Sequence, residues 1–400
     1  MKIRKSQVNT FFLSMLICWI LLPVVSYYLG STGYILLFMM WLITADIRTV
    51  FSSFNQGIFF IIWYIIMLVM QALGFFSYGK VDSVYFFSLT AFAVLPYFIS
   101  NYYTCSNRLF IIERIKKIIL VLSIITFIST IVVSFSHPDA PKTLAMGTEM
   151  DVYKELYVKM NCGGYGFVYG FVISCVPILS CRFNKKIWNV IRNIYIILGC
   201  ITLIVSQYTI GLIIFSAEII LYIFAINNGY KWMVAVKVIL VSVGLTAMLN
   251  MAKILNVMAS LFQSYTTLAV RLSDLALFIQ NGAMGNSVNS RMTVYAVSWE
   301  GFLRHPFFGG AIQGYSTIGA HSTILDLLAL FGVLGTLFYF LFLIGVVKKV
   351  RNKYYSIAFF GYILISILNP TIYNITIGFG IYMTAVIFVN NNEEGNNENS

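Results

Sequence analysis

Apolar residues run along this chain in long, nearly uninterrupted blocks, with polar and charged residues gathered in the gaps between them. A helix needs about 20 mostly apolar residues to cross a bilayer, because lipid cannot hydrogen-bond the backbone and a helix satisfies its own. Twelve stretches qualify: near 11–29, 32–45, 56–74, 84–100, 118–136, 163–181, 188–206, 209–227, 233–250, 324–345, 355–369 and 372–390. The second, fourth and eleventh of these are short. Two gaps are long: "HPDAPKTLAMGTEMDVYKELYVKMN", residues 137–161, and the stretch from about 251 to 323. The larger begins "MAKILNVMASLFQSYTTLAVRLSDLALFI", apolar but interspersed with Lys253, Arg271 and Asp274. This pattern predicts helices lying on the membrane interface or packing over a cavity. A thirteenth span there is the alternative; it would reverse everything downstream and turn "KKVRNK" outward. After the polar break "NGAMGNSVNS", the segment "RMTVYAVSWEGFLRHP" reads as a helix from a Ser290 cap to Pro306. The expected architecture is an all-α polytopic integral membrane protein. Its predicted parts are nine transmembrane helices in 1–250, a large loop with short helices in 251–323, three more spans in 324–390, and a disordered tail, "NNEEGNNENS", in 391–400.

Composition agrees with this class: 60% of the 400 residues are hydrophobic and 10% charged, and mean hydropathy is +0.86. Soluble domains hold roughly half apolar and a quarter charged residues. Loops rich in Lys and Arg stay cytoplasmic, and with the N-terminus inside, 18 of the 26 Lys and Arg fall on that side, which puts both termini in the cytoplasm. The net charge of +12 is therefore a topology signal. It is not a nucleic-acid footprint, since the cations are scattered over short loops with no soluble domain to present them. The first segment follows "MKIRK" without a small-residue cleavage site, so it reads as an uncleaved span. None of the six cysteines forms a CxxC or a Cys/His zinc spacing, and they read as small buried hydrophobes. No internal repeat is visible, which weakens inverted-repeat transporter folds.

All three histidines, His137, His305 and His321, lie in or beside the two long loops, which this topology places outside. Their gathering on one side suggests a working surface there. Arg291, Tyr295, Trp299 and Phe302 follow at spacings of 4, 4 and 3 and share one helical face. Arg291 has two readings: an arginine at a helix start, which the macrodipole mildly disfavours, or an anion site, since guanidinium grips phosphate bidentately and aromatic surfaces suit sugar rings. His321 has two as well, a helix-terminal residue bonded to a loop carbonyl or a proton acceptor at a helix mouth. Glu218 sits inside the eighth span, where a carboxylate is costly and a proton-coupled transporter would use one. Asp326 follows His321 by five positions, offset around the helix, and reads equally as a group that orients the imidazole or binds acceptor hydroxyls and as a carboxylate solvated at the interface. His305, before Pro306, reads as a turn residue. Asp139, Glu149, Asp151 and Glu155 resemble a solvated loop, and without an Asp-x-Asp pair no metal site or other cofactor is expected.

The segment "NSRMTVYAVSWEGFLRHPFFGGAIQGYSTIGAHSTILDLLALFGVLGT" resembles the C-terminal signature of the bacterial O-antigen polymerase and ligase superfamily, which includes the Wzy-type polymerases. In that family an arginine opens a helix that ends in a Trp-containing, "hPlfG"-like turn. A His then precedes Asn, Ser or Gln, nine residues and Gly-x-x-Gly. Here Arg291, Trp299, "HPFFGG", His321, Ser322, the nine residues Thr323 to Phe331, Gly332 and Gly335 match with full agreement in spacing, over roughly 45 residues. By the residues themselves, Gly332 and Gly335 read as close-packing positions. Ligase-type members often carry a Ser-Arg pair at an external helix junction, and "SQYTIG" has Gln207 there instead, which leans away from the ligase branch.

The resemblance implies a GT-C-like glycosyltransferase at the external face, acting on undecaprenyl diphosphate-linked oligosaccharide and needing no metal. A departing diphosphate gains negative charge that fixed arginines offset. Arg291 is the residue implied for this, with Arg271 and Arg304 as helpers and Tyr295, Trp299 and Asp326 binding substrate. His321 is the implied base, worth about 10² to 10⁴ in rate. The expected activity is polymerisation of repeat units into O-antigen or another surface polysaccharide in the bacterial cytoplasmic (inner) membrane. Membrane lipid and a chain-length regulator protein are the expected partners. An O-antigen ligase transferring to lipid A-core and a flippase or transporter are the alternatives.

Overall fold

The computed structural model describes residues 5–51, 95–105, 109–144, 151–226, 250–261, 266–281, 286–310, 318–372 and 374–389, with 234, 237 and 263. The predicted span near 56–74, most of those near 84–100 and 233–250, and the tail 391–400 lie outside these, as does Glu149. Every regular element among the described residues is helical. Four helices, Pro23–Thr44, Phe110–Ser136, Lys186–Val205 and Thr323–Val350, are long and apolar enough to cross a membrane.

Helices α1 (Lys5–Leu21) and α2 (Pro23–Thr44) form a hairpin in which Asn9 Nδ2 donates to the Trp41 carbonyl and to Thr44 Oγ1, both at 3.0 Å. Residues 22–29, read from hydropathy as the end of the first span, are set off from α1 by a turn at Leu22 and from the rest of α2 by a break at Gly30 (φ 60°, ψ −174°), which is where the expected first span ends. Pro23 explains the turn: it takes a first-turn position, where its missing N–H costs nothing. The chain continues through α3 (Ile47–Phe51), α4 (95–105), α5 (Leu109–Ser136), the single turn α6 (Ala140–Thr143) and α7 (Asp151–Lys159). Then come α8 (Tyr165–Ser180), α9 (Lys186–Val205), α10 (Thr209–Ala225), α11 (Met251–Leu261) and α12 (Thr266–Asn281). The last elements are α13 (Asn286–Arg304), α14 (Thr323–Val350), α15 (Lys353–Leu368) and α16 (Ile375–Val389), the last containing a π turn at Gly380–Thr384.

Burial is inverted relative to a soluble protein. On α9, Tyr195, Gly199 and Thr202 face inward while Ile194, Ile197, Ile201 and Ile204 are exposed. Helices with such outward apolar faces suit a multi-pass membrane protein. At the centre lies α8, buried at every residue from Gly166 to Ile178 and packed against α9, α10, α15 and α16. A Cβ at Gly380 would stand 2.9 Å from the Gly170 carbonyl oxygen, so the backbones of α8 and α16 touch where neither residue has a side chain.

Gly332 does more than pack. Its φ of 64° and ψ of −168° break α14, in a region open to glycine almost alone. The amides freed by the break, Val333 N and Leu334 N, donate to the carbonyls of Pro306 (2.8 Å) and Phe307 (3.3 Å). The "HPFFGG" turn is thereby keyed into α14, which fixes where α13 lies. Helix α13 itself begins at Asn286, four residues before the expected Ser290 cap.

Helices α8, α10, α14 and α16 begin at one end of the molecule around a common cavity. The opposite end carries Lys185, Lys186, Lys348, Lys349, Arg351 and Lys353, with Lys353 Nζ donating to the Ala225 carbonyl at the end of α10 (2.8 Å).

Candidate functional site

The cavity has a volume of about 930 Å³, at the upper end of ordinary small-molecule sites. Helix N-termini carry partial positive charge, and the first turns of α8, α10 and α16 and the loop before α14 all reach it. Among the described residues, Lys142, Arg271 and Arg291 line it with His321, and no carboxylate does.

Arg291 lies in the second turn of α13, not at its start. Its Nη1 donates to the Leu368 carbonyl at 3.3 Å, and the Tyr295 hydroxyl donates to the same oxygen at 3.0 Å. Leu368 ends α15. A carbonyl of a last helical turn lacks an intrahelical partner and carries the negative end of the dipole, so this contact favours the guanidinium. Arg271 reaches the cavity from α12. Burial, and then the charge of Arg291, pull its pKa below the ordinary arginine value.

Lys142 was not anticipated. The turn α6 is buried, with Lys142 only 4% exposed. Its Nζ donates to Gln207 Oε1 at 2.8 Å, Gln207 Nε2 donates to the Pro138 carbonyl at 3.3 Å, and the Tyr208 hydroxyl donates to the Pro141 carbonyl at 2.6 Å. The first long loop is thus strapped to the α9–α10 junction. Burial and the nearby Arg271 push the Lys142 pKa down to about 8, against an opposing pull from Asp139. Mutual repulsion of cations in a cavity without acids is what a bound anion would relieve. The position where an arginine was looked for, 207, holds an amide, and a lysine from a sequence-distant loop stands on it. The absent arginine was the only signal in the sequence.

His321 precedes α14. Its Nδ1 lies 2.8 Å from the Gly319 carbonyl. A carbonyl only accepts, so Nδ1 carries a proton, and in the neutral ring that tautomer leaves the lone pair on Nε2. Three features fix the loop. Ala320 holds φ at 54°. Ser298 Oγ donates to Asp326 Oδ1 and accepts from Gly319 N, both at 2.7 Å. Ser322 caps α14 by accepting from Leu325 N at 3.4 Å. Asp326 is buried and does not line the cavity. Ser298 and the backbone amides of Ala320 and Ser322 bond to its carboxyl, and the charge of His321 acts on it as well.

The remaining expectations separate. Tyr165, Tyr169 and Tyr208 form an aromatic wall, with ring centroids 4.6 to 5.9 Å apart, that the sequence did not suggest. Trp299 is turned away, 47% exposed and packed on Phe302 at 5.2 Å. Arg304 is also outside the cavity, 67% exposed and 3.9 Å from Glu300. The face inferred from spacings of 4, 4 and 3 therefore divides: its first turn reaches the site and its last does not. Glu218 is buried against Gly361, away from the cavity, and neither carboxyl oxygen has a partner among the described residues. No model of a known protein family matches the chain, and no curated protein does either.

Proposed function

We propose that this chain is a membrane glycosyltransferase that polymerises undecaprenyl diphosphate-linked oligosaccharide repeats into a surface polysaccharide. In this reading twelve helices span the bacterial cytoplasmic membrane, both termini are cytoplasmic and the cavity opens outward. The observation that carries the reading is the convergence of Arg271, Arg291 and His321 on one cavity that, among the described residues, no carboxylate lines. The likeness of residues 289–336 to the O-antigen polymerase and ligase superfamily supplies the substrate class.

The chemistry follows from the residues. The acceptor hydroxyl gives its proton to His321 Nε2 as its oxygen bonds to the anomeric carbon of the growing chain. The bond from that carbon to the phosphate oxygen breaks, and its electron pair leaves with the lipid diphosphate. Arg271 and Arg291 bind that diphosphate, and cations preorganised in a partly buried site stabilise growing charge without reorganising. The tyrosine wall offers faces for sugar rings. Gln207 at the ligase-branch arginine position favours polymerase over ligase, with a chain-length regulator as the expected protein partner.

The test is a gel of surface glycans from a strain lacking the gene, restored with wild type, Arg291→Ala or His321→Ala. Core carrying a single repeat, with the ladder missing in the null and in both well-expressed variants, is the expected result. Normal ladders in both variants would sink the site. Long chains stranded on the carrier with bare core would indicate a ligase, and single units held at the cytoplasmic face a flippase.

A further inference from the structure

Helix α13 has three faces, of which the proposed reaction uses one. Arg291, Tyr295 and Ser298 turn inward, the first two to the Leu368 carbonyl and the third to Asp326. Next around the helix, Met292, Ala296, Trp299 and Leu303 follow at spacings of 4, 3 and 4, and all are exposed. Beside that stripe lies an exposed polar one, Asn289, Thr293, Glu300 and Arg304. The apolar stripe runs on into the turn, where Phe307 is 73% and Phe308 56% exposed. An outward surface split into an apolar and a polar half is what a helix presents at a lipid boundary.

How α13 stands to the membrane follows from α14. Thr323 N donates to the Asn369 carbonyl at 3.3 Å, so α14 starts level with the end of α15. Seven residues down α15 from Asn369, the Tyr362 hydroxyl meets that of Tyr339, which lies seven residues beyond Gly332. Equal lengths of antiparallel helix put Gly332 at the depth of Asn369 as well. Helix α14 therefore crosses the end of the bundle from Thr323 to Phe331 and turns down only at Gly332. Exposure changes at the same place. No residue in 323–331 is exposed, whereas Val333, Leu337, Leu341 and Ile344 form an outward apolar stripe on the descending part. That part, 333–350, reaches about 27 Å, close to the ~30 Å of bilayer hydrocarbon. Helix α13 lies along the crossing part, from Ser298 at Asp326 to Pro306 and Phe307 at Val333 and Leu334. Its apolar stripe thus joins the lipid-facing stripe of α14 at the level where hydrocarbon begins.

We propose that α13 is an interfacial helix: Trp299, Leu303, Phe307 and Phe308 rest among the acyl chains of the adjoining leaflet, and Glu300 and Arg304 reach its headgroups. Lipid is the occupant because the stripe continues a face that a spanning helix gives to lipid. The bilayer surface then sets the height of α13 and, through it, of Arg291. The inference requires α14 to span the membrane and is independent of the reaction assigned to the cavity.

The test is photolabelling of the full-length wild-type protein, one copy per nanodisc, by phosphatidylcholine with a diazirine near the glycerol end of one acyl chain. Adducts mapped by mass spectrometry should fall on Val333 and Leu337 and equally on Leu303, Phe307 and Phe308, with none on Thr293. Adducts on the α14 stripe but none on residues 299–308 overturn the proposal and mean that water or protein covers this face. A second measurement uses single cysteines in a Cys105→Ser background, which removes an exposed native thiol. In nanodiscs Phe308→Cys should react with a charged maleimide at least about tenfold more slowly than Thr293→Cys, since hydrocarbon excludes the charge. Equal rates overturn the proposal. Both readouts report lipid contact alone, so a normal glycan ladder in the Arg291→Ala and His321→Ala strains leaves them unaltered.

Discussion

Replacing Gly332 by alanine tests how the site is held without changing any group that lines it. The backbone there sits at φ 64° and ψ −168°, and an added Cβ would stand 2.4 Å from the carbonyl of Phe307 and 2.7 Å from Gly309 N. Neither obstacle is a side chain that can rotate away. The variant must either keep the strained backbone, at about 1–3 kcal/mol, or separate the "HPFFGG" turn from α14. Separation breaks the hydrogen bonds from Val333 N and Leu334 N, each worth ~0.5–1.5 kcal/mol. Strain and partial separation together give a cost on the order of 2–5 kcal/mol. Because α13 carries Arg291, a displacement of about 1 Å should lower polymerisation by about 10²-fold. Thermal unfolding in detergent, followed by reaction of the buried Cys162, Cys175 and Cys181 with a thiol-reactive dye, reads the stability. The glycan ladder reads the activity. A Gly332→Ala protein with both a wild-type melting temperature and a wild-type ladder would refute the argument that the break positions the site.

Other expectations follow from the same geometry. Ser298→Ala removes the donor to buried Asp326 and the acceptor for Gly319 N; it should destabilise by about 1–3 kcal/mol and lower turnover more than substrate binding, a split that steady-state kinetics would show. Arg304→Ala, at a solvated ion pair, should leave the ladder normal while Arg291→Ala removes it; equal effects from the two would contradict the division of α13. Lys142 loses its proton as pH rises through about 8 in the ligand-free protein, so binding of a lipid diphosphate to the cavity should weaken above that pH. In Lys142→Arg, which stays charged there, the pH profile should be flat, and matching profiles would rule out Lys142 as the titrating group.

The class of the protein was legible in the chain because the constraint that produces it is local. Lipid obliges each crossing segment to satisfy its backbone within a window of about 20 residues, and α8, α9, α10 and α15 fall within a few residues of the apolar blocks that announced them. Arg291 and His321, which both line the cavity, stood out for a similar reason: each belongs to a short segment whose spacing can be read in one line. In the first hairpin the division near residue 30 coincides with the break at Gly30, while the turn before Pro23 went unread because hydropathy does not register that a proline starts a helix as readily as it ends one.

Only the tertiary structure decided the rest. Spacing put Arg291, Tyr295, Trp299 and Phe302 on one face, but the rotation of α13 follows from Ser298 bonding to Asp326 and from the turn keyed at Gly332. That rotation brings Arg291 to the cavity and leaves Trp299 and Arg304 out. Nothing local distinguishes a glycine at a close contact from one in left-handed backbone, so Gly332 and Gly335 looked alike. Lys142 read as one more loop cation, and its place on Gln207 depends on a contact between residues 65 positions apart. Periodicity records what each segment demands of its own surroundings. Which segments meet is set by the summed packing of all of them, and that quantity no single window of the sequence contains.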